Sequence, residues 1–182
     1  MRTTKKITYT ALFAALCCIA TYLIKVPMPY GYFNVGDVFV LLSGYMLGGL
    51  WGGVAAGTGS ALADLLSGYA LYAPVTFVIK FLMPFVVFYG YRLGKKLIQK
   101  AALDFLPRIF SALVAELLMV GGYFLFECIL YGAGGAAVAL AGNFIQSGVC
   151  LAIGVAIAVV FTHIPFVKKQ FPLLMQTKKE TE

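Results

Sequence analysis

The sequence predicts an all-α integral membrane protein, a bundle of six transmembrane helices with both termini in the cytoplasm. Three observations predict it. First, 62% of the 182 residues are hydrophobic and only 12% are charged, with a mean hydropathy of +0.93, whereas an average soluble domain is about half apolar and a quarter charged. Second, the apolar stretches provide for about six crossings of roughly 20 residues with short connections. Third, every Lys and Arg except Lys25 and Lys80 falls in one of three clusters. Arg2, Lys5 and Lys6 precede the first apolar run, Arg92, Lys95, Lys96, Lys100 and Arg108 share one loop, and Lys168, Lys169, Lys178 and Lys179 lie in the tail. Loops rich in Lys and Arg stay on the cytoplasmic side, so the net charge of +7 reports topology and not nucleic-acid binding. Nothing marks off a second domain, and residues 1–182 read as one membrane-embedded unit with a basic cytoplasmic tail over about 165–182.

Span one runs from about Ile7 to Ile24. The preceding MRTTKK mimics a signal peptide, but the apolar run is too long for an h-region and no small-residue cleavage site closes it. Thr8, Ala11, Ala15, Cys18 and Tyr22 recur at spacings of three and four, giving one small face. Such a face suits close packing within the bundle and docking of another protein equally. Next come Lys25, Pro27, Pro29 and Gly31; two prolines one residue apart cannot continue a helix, which predicts an ordered extracellular loop up to Phe33. Its aromatics Tyr30, Tyr32 and Phe33 either cover a flat ligand or belong to the interfacial belt.

Span two begins near Asn34 and ends near Leu50, and Gly48 to Gly53 form a tight cytoplasmic turn before span three, which runs to about Ser67. Gly49, Gly53, Gly57 and Ala61 are four apart, as are Gly52, Ala56, Ser60 and Asp64, leaving little bulk on two faces and predicting a central place for this helix. Ser67 to Ala70 make an outer loop, and span four covers Ala73 to Gly94. Within it, Pro84 cannot donate to the carbonyl of Lys80. Lys95 to Arg108 form the basic cytoplasmic connection. Span five extends from about Ile109 to Leu130, Gly132 to Gly142 make a small-residue outer loop, span six covers about Asn143 to Ile164, and the Lys-rich remainder is expected to be disordered. Cys17, Cys18, Cys128 and Cys150 lie in apolar runs with no CxxC pair and no His nearby, which predicts small hydrophobes and no metal site.

Ionisable groups in a bilayer are costly unless paired or hydrated, so a chain that keeps them generally uses them. At a rise of about 1.5 Å per residue, Asn34, Asp37, Asp64, Lys80, Glu127, Asn143 and Gln146 all fall in the outer half. Glu116, Val120, Tyr123 and Glu127 share one helix face, and Asn143, Gln146 and Cys150 share another. The expected result is a cavity lined by carboxylates, amides, one ammonium and Tyr123, with Tyr69 and Tyr72 near its mouth, suited to a small aromatic molecule bearing hydroxyl or amine groups. The candidate ligand residues are Asn34, Asp37, Lys80, Tyr123, Glu127, Asn143 and Gln146. Buried pairing of Lys80 with Asp37 or Asp64 is the competing account, but the carboxylates outnumber the one deep cation, so some must meet water or a ligand.

The run FNVGDVFVLLSGYMLGG followed by GSALADLLSGYALYAPVTFVIK resembles the substrate-binding S components of energy-coupling factor (ECF) transporters, in the branch of proposed vitamin B6, hydroxymethylpyrimidine and riboflavin importers. The likeness spans residues 7 to 95. It implies a six-helix vitamin-capture subunit of the prokaryotic plasma membrane that binds substrate at the outer face, beneath the loop Lys25 to Phe33. It also implies a partner T component and two ABC-type ATPases that use ATP, while this chain binds no cofactor. The family's AxxxA docking motif matches Ala11 and Ala15. The residues agree on a separate motor: Gly90 to Lys96 reads GYRLGKK, one residue short of a phosphate loop and lacking its hydroxyl. A pyridoxine-type or hydroxymethylpyrimidine-type ligand is placed ahead of riboflavin. The alternative is a stand-alone secondary transporter in which Asp37, Asp64, Glu116 and Glu127 relay protons or bind sodium. An intramembrane enzyme is disfavoured, because His163 and Ser60 are expected at different depths.

Overall fold

The computed structural model describes residues 3–27, 32–98 and 100–175. Its helices are α1 (Thr3–Leu23), α2 (Asp37–Leu47), α3 (Gly49–Leu66), α4 (Ala73–Leu97) and a long helix, Phe105–Phe161, that breaks at Gly132. The two halves of that helix are α5 (105–131) and α6 (133–161), and a short α7 (Pro165–Gln170) follows. Strands β1 (Lys25–Pro27) and β2 (Tyr32–Asn34) pair antiparallel with Val26 opposite Phe33. The ordered loop after span one is therefore a β-hairpin. Pro29, Tyr30 and Gly31, included in that loop, lie outside the described residues.

Thr3–Leu23, Ala73–Leu97 and Phe105–Phe161 are long and apolar enough to cross a membrane. Leucine, isoleucine and phenylalanine side chains such as Leu12, Ile19, Leu82, Phe110, Ile129 and Ile153 face outward from them, as lipid demands and water does not. α2 differs. At 11 residues it spans about 16 Å, roughly half the hydrocarbon thickness, and every residue except Phe39 is buried. The central helix is thus α2, not the glycine-rich α3. Small side chains on α3 serve close approach from three directions. Gly49, Gly53 and Gly57 face the rings of Phe85, Phe81 and Phe77 on α4, Gly52 lies against the backbone of Ser43 in α2, and Gly59 meets the Ala14 carbonyl of α1. Three packed faces leave α3 peripheral, with Leu50, Leu62, Leu65 and Leu66 exposed.

Three connections depart from expectation for identifiable reasons. The turn before α3 is Gly48 alone, at φ 85°, a conformation that only glycine adopts cheaply. Residues 133–142 are helical and not a loop, because five of the ten are Ala, the best helix former, and Gly132, at φ 72°, supplies the reversal by itself. α5 runs antiparallel to α2, with Arg108 beside Tyr45 near its start, whereas α6 runs parallel to α2, with Gln146 beside Asn34 and Gly154 beside Leu41. The tail, expected to be disordered, folds back through residue 175. Phe171 packs on Tyr9 with ring centroids 4.6 Å apart, and Leu174 is fully buried. This segment fills the space that short α2 leaves at its own C-terminal end.

Arg108, assigned by sequence to a basic loop, is instead wholly buried in α5. It donates to the Tyr91 hydroxyl and the Leu174 carbonyl, both at 2.7 Å, and to Asp104 at 3.0 Å. Burial pushes the Asp104 carboxyl up, but the hydrogen bond from Lys95 and the charge of Arg108 outweigh it and hold this group below the usual carboxylate range. The tail, the Lys95–Asp104 pair and the start of α1 mark one end of the bundle, the tail end; the hairpin, the α3–α4 loop and Gly132 mark the other.

Candidate functional site

At the hairpin end a chain of hydrogen bonds ties four elements together. The Asn34 backbone N–H and Nδ2 both donate to Gln146 Oε1, at 2.9 and 3.2 Å. Gln146 Nε2 in turn donates to Asp37 Oδ2 at 2.6 Å, and Lys80 Nζ donates to Asp37 Oδ1 at 2.5 Å. β2, α6, α2 and α4 are thereby fixed relative to one another. Local sequence explains the start of the chain. Asn34 Oδ1 accepts the Gly36 N–H at 2.9 Å, turning the backbone from strand into helix, and a Cβ at Gly36 would collide with the Thr21 hydroxyl. Asp37 then falls in the first turn of α2, where a carboxylate is favoured by the helix dipole.

A second set closes the hairpin over this floor. Tyr32 donates to Asp64 Oδ1 at 2.5 Å, its ring lies 5.1 Å from that of Tyr69, and Tyr69, Tyr72 and Phe126 continue the aromatic contacts. Burial first, and the Asp64 charge second, push the Tyr32 phenol well up, so it stays a donor. Lys25 Nζ donates to Ser67 at 3.0 Å and lies 4.7 Å from the centroid of Tyr22.

Between floor and hairpin lies a polar cavity of about 480 Å³, its mouth included. Of the sequence-predicted residues, Asn34, Lys80, Tyr123, Glu127, Asn143 and Gln146 line it. Asp37 does not: it is fully buried behind the wall, holding Lys80 and Gln146. Tyr69 and Tyr72, expected near its mouth, line it too, as do Asp64, expected among the outer-half polar groups, and Tyr32, one of the loop aromatics expected either to cover a ligand or to belong to the interfacial belt; Thr21, Ser60 and Thr76 also line the cavity and had not been singled out as ligand residues. The signal for two of them was helical spacing, since Thr76 precedes Lys80 by four residues and Ser60 precedes Asp64 by four. Thr21 carries no such signal, because the rotation of α1 brings it in, and for Tyr32 the hairpin fold decides between the two readings its loop allowed by placing it on the wall.

Lys80 lies 5.4 Å from the centroid of Tyr123, whose hydroxyl bonds Thr76 Oγ1 at 2.9 Å. Four buried wall atoms, Ser60 Oγ, Asp64 Oδ2, Glu127 Oε2 and Asn143 Nδ2, have no hydrogen-bond partner among the described residues. Buried polar groups are normally satisfied, so these are positions where a polar ligand or water completes the wall. Both oxygens of Glu116 are likewise unpartnered, but this residue lies outside the lining. His163 bonds the Val159 carbonyl at the exposed far end of α6, well away from Ser60.

Ala11 and Ala15 are exposed along with Thr8, whereas Thr10, Phe13, Cys17, Ala20 and Thr21 form the buried face of α1. The small-residue face is therefore not spent on packing within the bundle.

The sequence model of the family described as "ECF-type riboflavin transporter, S component" matches residues 1–164. A relative from Pyrococcus woesei, described as "Uncharacterized protein in gap 3'region", is 33% identical over 131 residues, which cover 71% of this chain and 82% of that protein.

Proposed function

The chain belongs to the ECF-type riboflavin transporter S component family, and from that premise we propose that it captures a small aromatic vitamin in the hairpin-end cavity and delivers it inward with a T component and two ABC-type ATPases. It is a membrane protein of a transporter, not an enzyme. Members of this family work with a T component and ATPases. The single observation carrying the ligand-binding reading is the row of unpartnered polar atoms on the cavity wall. The family's description favours riboflavin as substrate, ahead of the pyridoxine or hydroxymethylpyrimidine type that residue chemistry alone suggested.

The same reading takes α1 to α6 as six spans with both termini cytoplasmic. In its support, Lys5, Lys6, Lys95, Lys96, Lys168 and Lys169 all gather at the tail end, the side on which positive charge is retained. Short α2 needs no contact with lipid at its end because the folded-back tail covers it. The cavity then opens outward in a prokaryotic plasma membrane.

Titrating detergent-purified protein with riboflavin, pyridoxine and hydroxymethylpyrimidine tests the capture role. Saturable binding of one of them with a Kd of about 1 μM or tighter is expected. Absence of binding by all three, with nothing small copurifying by mass spectrometry, refutes it. Transport provides the second test. Ala11→Leu and Ala15→Leu, on the exposed small face, are expected to leave Kd unchanged within about twofold and to abolish uptake in cells carrying the T component and ATPases. Normal uptake by either variant removes that face from docking. Uptake by this chain alone in liposomes favours the secondary-transporter reading instead.

A further inference from the structure

Two carboxyl groups line the cavity, Asp64 and Glu127, and no Lys or Arg among the described residues pairs with either. The ammonium of the wall, Lys80, is given to Asp37 at 2.5 Å, and Lys25 is bonded to Ser67. Asp64 differs from Glu127 in what stands beside it. It is 5% exposed; Oδ1 accepts from Tyr32, while Oδ2 has no partner among the described residues. One turn earlier on α3, Ser60 is 1% exposed, lines the same cavity, and its Oγ is likewise without a partner. Side chains four apart on a helix are neighbours, with Cβ atoms about 5–6 Å apart. Two buried, uncommitted oxygens, one of them on a carboxyl group, therefore converge on the α3 wall. The buried hydroxyls of Thr21 and Thr76 line the cavity with them.

We infer that Ser60 and Asp64 hold a monovalent alkali cation at this corner of the cavity. The donor set selects the ion. Carboxyl and hydroxyl oxygens are hard ligands and do not suit the softer transition metals, and among the described residues no three His, Cys, Asp or Glu side chains are grouped to hold such a metal. Calcium takes about six or more oxygen ligands, commonly with several carboxylates, whereas one carboxylate balances a single positive charge. A buried carboxylate without a counter-charge is strongly disfavoured, and Lys80 could serve Asp64 only by leaving Asp37 buried and alone. A cation between Asp64 Oδ2 and Ser60 Oγ meets the charge that Lys80 does not. Lone pairs of the Ser60 hydroxyl coordinate it, and water entering through the cavity mouth completes its shell. Glu127 Oε2 and Asn143 Nδ2 are left to the captured molecule. The inference goes beyond the capture role proposed above, because the cation completes the wall before any vitamin enters.

Sodium is the probe, and thermal unfolding of the detergent-purified full chain, with no vitamin added, is the readout. A cation that binds only the folded protein stabilises it by mass action. At equal ionic strength, about 100 mM sodium chloride is expected to raise the melting midpoint by about 3 °C or more over N-methylglucamine chloride. Asp64→Asn removes the charge but keeps the acceptor that Tyr32 uses, and Ser60→Ala removes the second oxygen with little change of shape. Each is expected to shrink the difference between the two salts to below about 1 °C. Equal midpoints for the unsubstituted protein in the two salts overturn the inference, as does a sodium-dependent rise that survives in either variant. Because no vitamin is present, these outcomes leave the capture role standing, and the vitamin titrations decide that role separately.

Discussion

An Asp37→Ala variant is expected to lose high-affinity ligand binding, by about 100-fold or more, although Asp37 does not line the cavity. Its two oxygens hold Lys80 at 2.5 Å and Gln146 at 2.6 Å, and both of those residues are on the wall. Without Asp37 the Lys80 ammonium is a buried charge with no partner, and breaking a buried pair from one side costs about 3–5 kcal/mol. The variant should therefore melt early as well as bind poorly. A companion separates the two effects. In Asp37→Asn, Lys80→Met both charges leave together, and such replacements are often neutral for stability, so thermal unfolding in detergent should return close to wild type. Binding of the vitamin identified by titration should stay lost, because Lys80 itself is expected to contact the ligand. Wild-type affinity in the double variant would make the pair purely structural.

Larger still is the effect expected at the glycines of α3. A Cβ at Gly59 would run into the Ala14 carbonyl oxygen and lie 2.9 Å from the Cys17 Cβ. At Gly53 the obstacle is the Phe81 carbonyl oxygen at 2.6 Å. In both cases the neighbour is backbone, which cannot step aside as a flexible side chain can. Without a strong hydrophobic force between them, membrane helices associate through such close approach. Gly59→Leu and Gly53→Leu are expected to push α3 from α1 and α4, respectively, and to eliminate the monodisperse peak on size exclusion. Gly121→Ala and Gly148→Ala supply the contrast, having nothing within 4 Å of the added carbon. In a helix interior each should be tolerated or stabilising by about 0.5–1 kcal/mol. A Gly59→Leu protein that melts like wild type would show that α1 and α3 are not held as described.

Particular residues show how far reading the chain could go. The apolar runs and the two prolines after α1 placed the helices and the hairpin connection, because hydropathy and proline chemistry are local. The helical period put Glu116, Val120, Tyr123 and Glu127 on one side of α5, and Val120, Glu116 and Glu127 are all buried there. Glycine content misled twice, suggesting a loop at 132–142 and a central α3. In both places composition reported what the backbone permits, while packing chose what it does. Arg108 misled for a related reason. A lone arginine near a Lys-rich loop reads as solvated, and only the folded-back Leu174 carbonyl and the Tyr91 hydroxyl show where its charge goes.

By itself the sequence determined that this chain lives in a bilayer, which faces of its helices are polar, and that the deep carboxylates exceed the deep cations. Those properties follow from composition and from the 3.6-residue period, which act within one segment. The tertiary structure alone decided that Lys80 pairs with Asp37 and not Asp64, that Asp37 stands behind the wall, and that Asp64 and Glu127 keep free oxygens toward the cavity. Each depends on how one helix is rotated against another, and that rotation is set by contacts between residues far apart in the chain, such as Asn34 with Gln146 and Gly59 with Ala14.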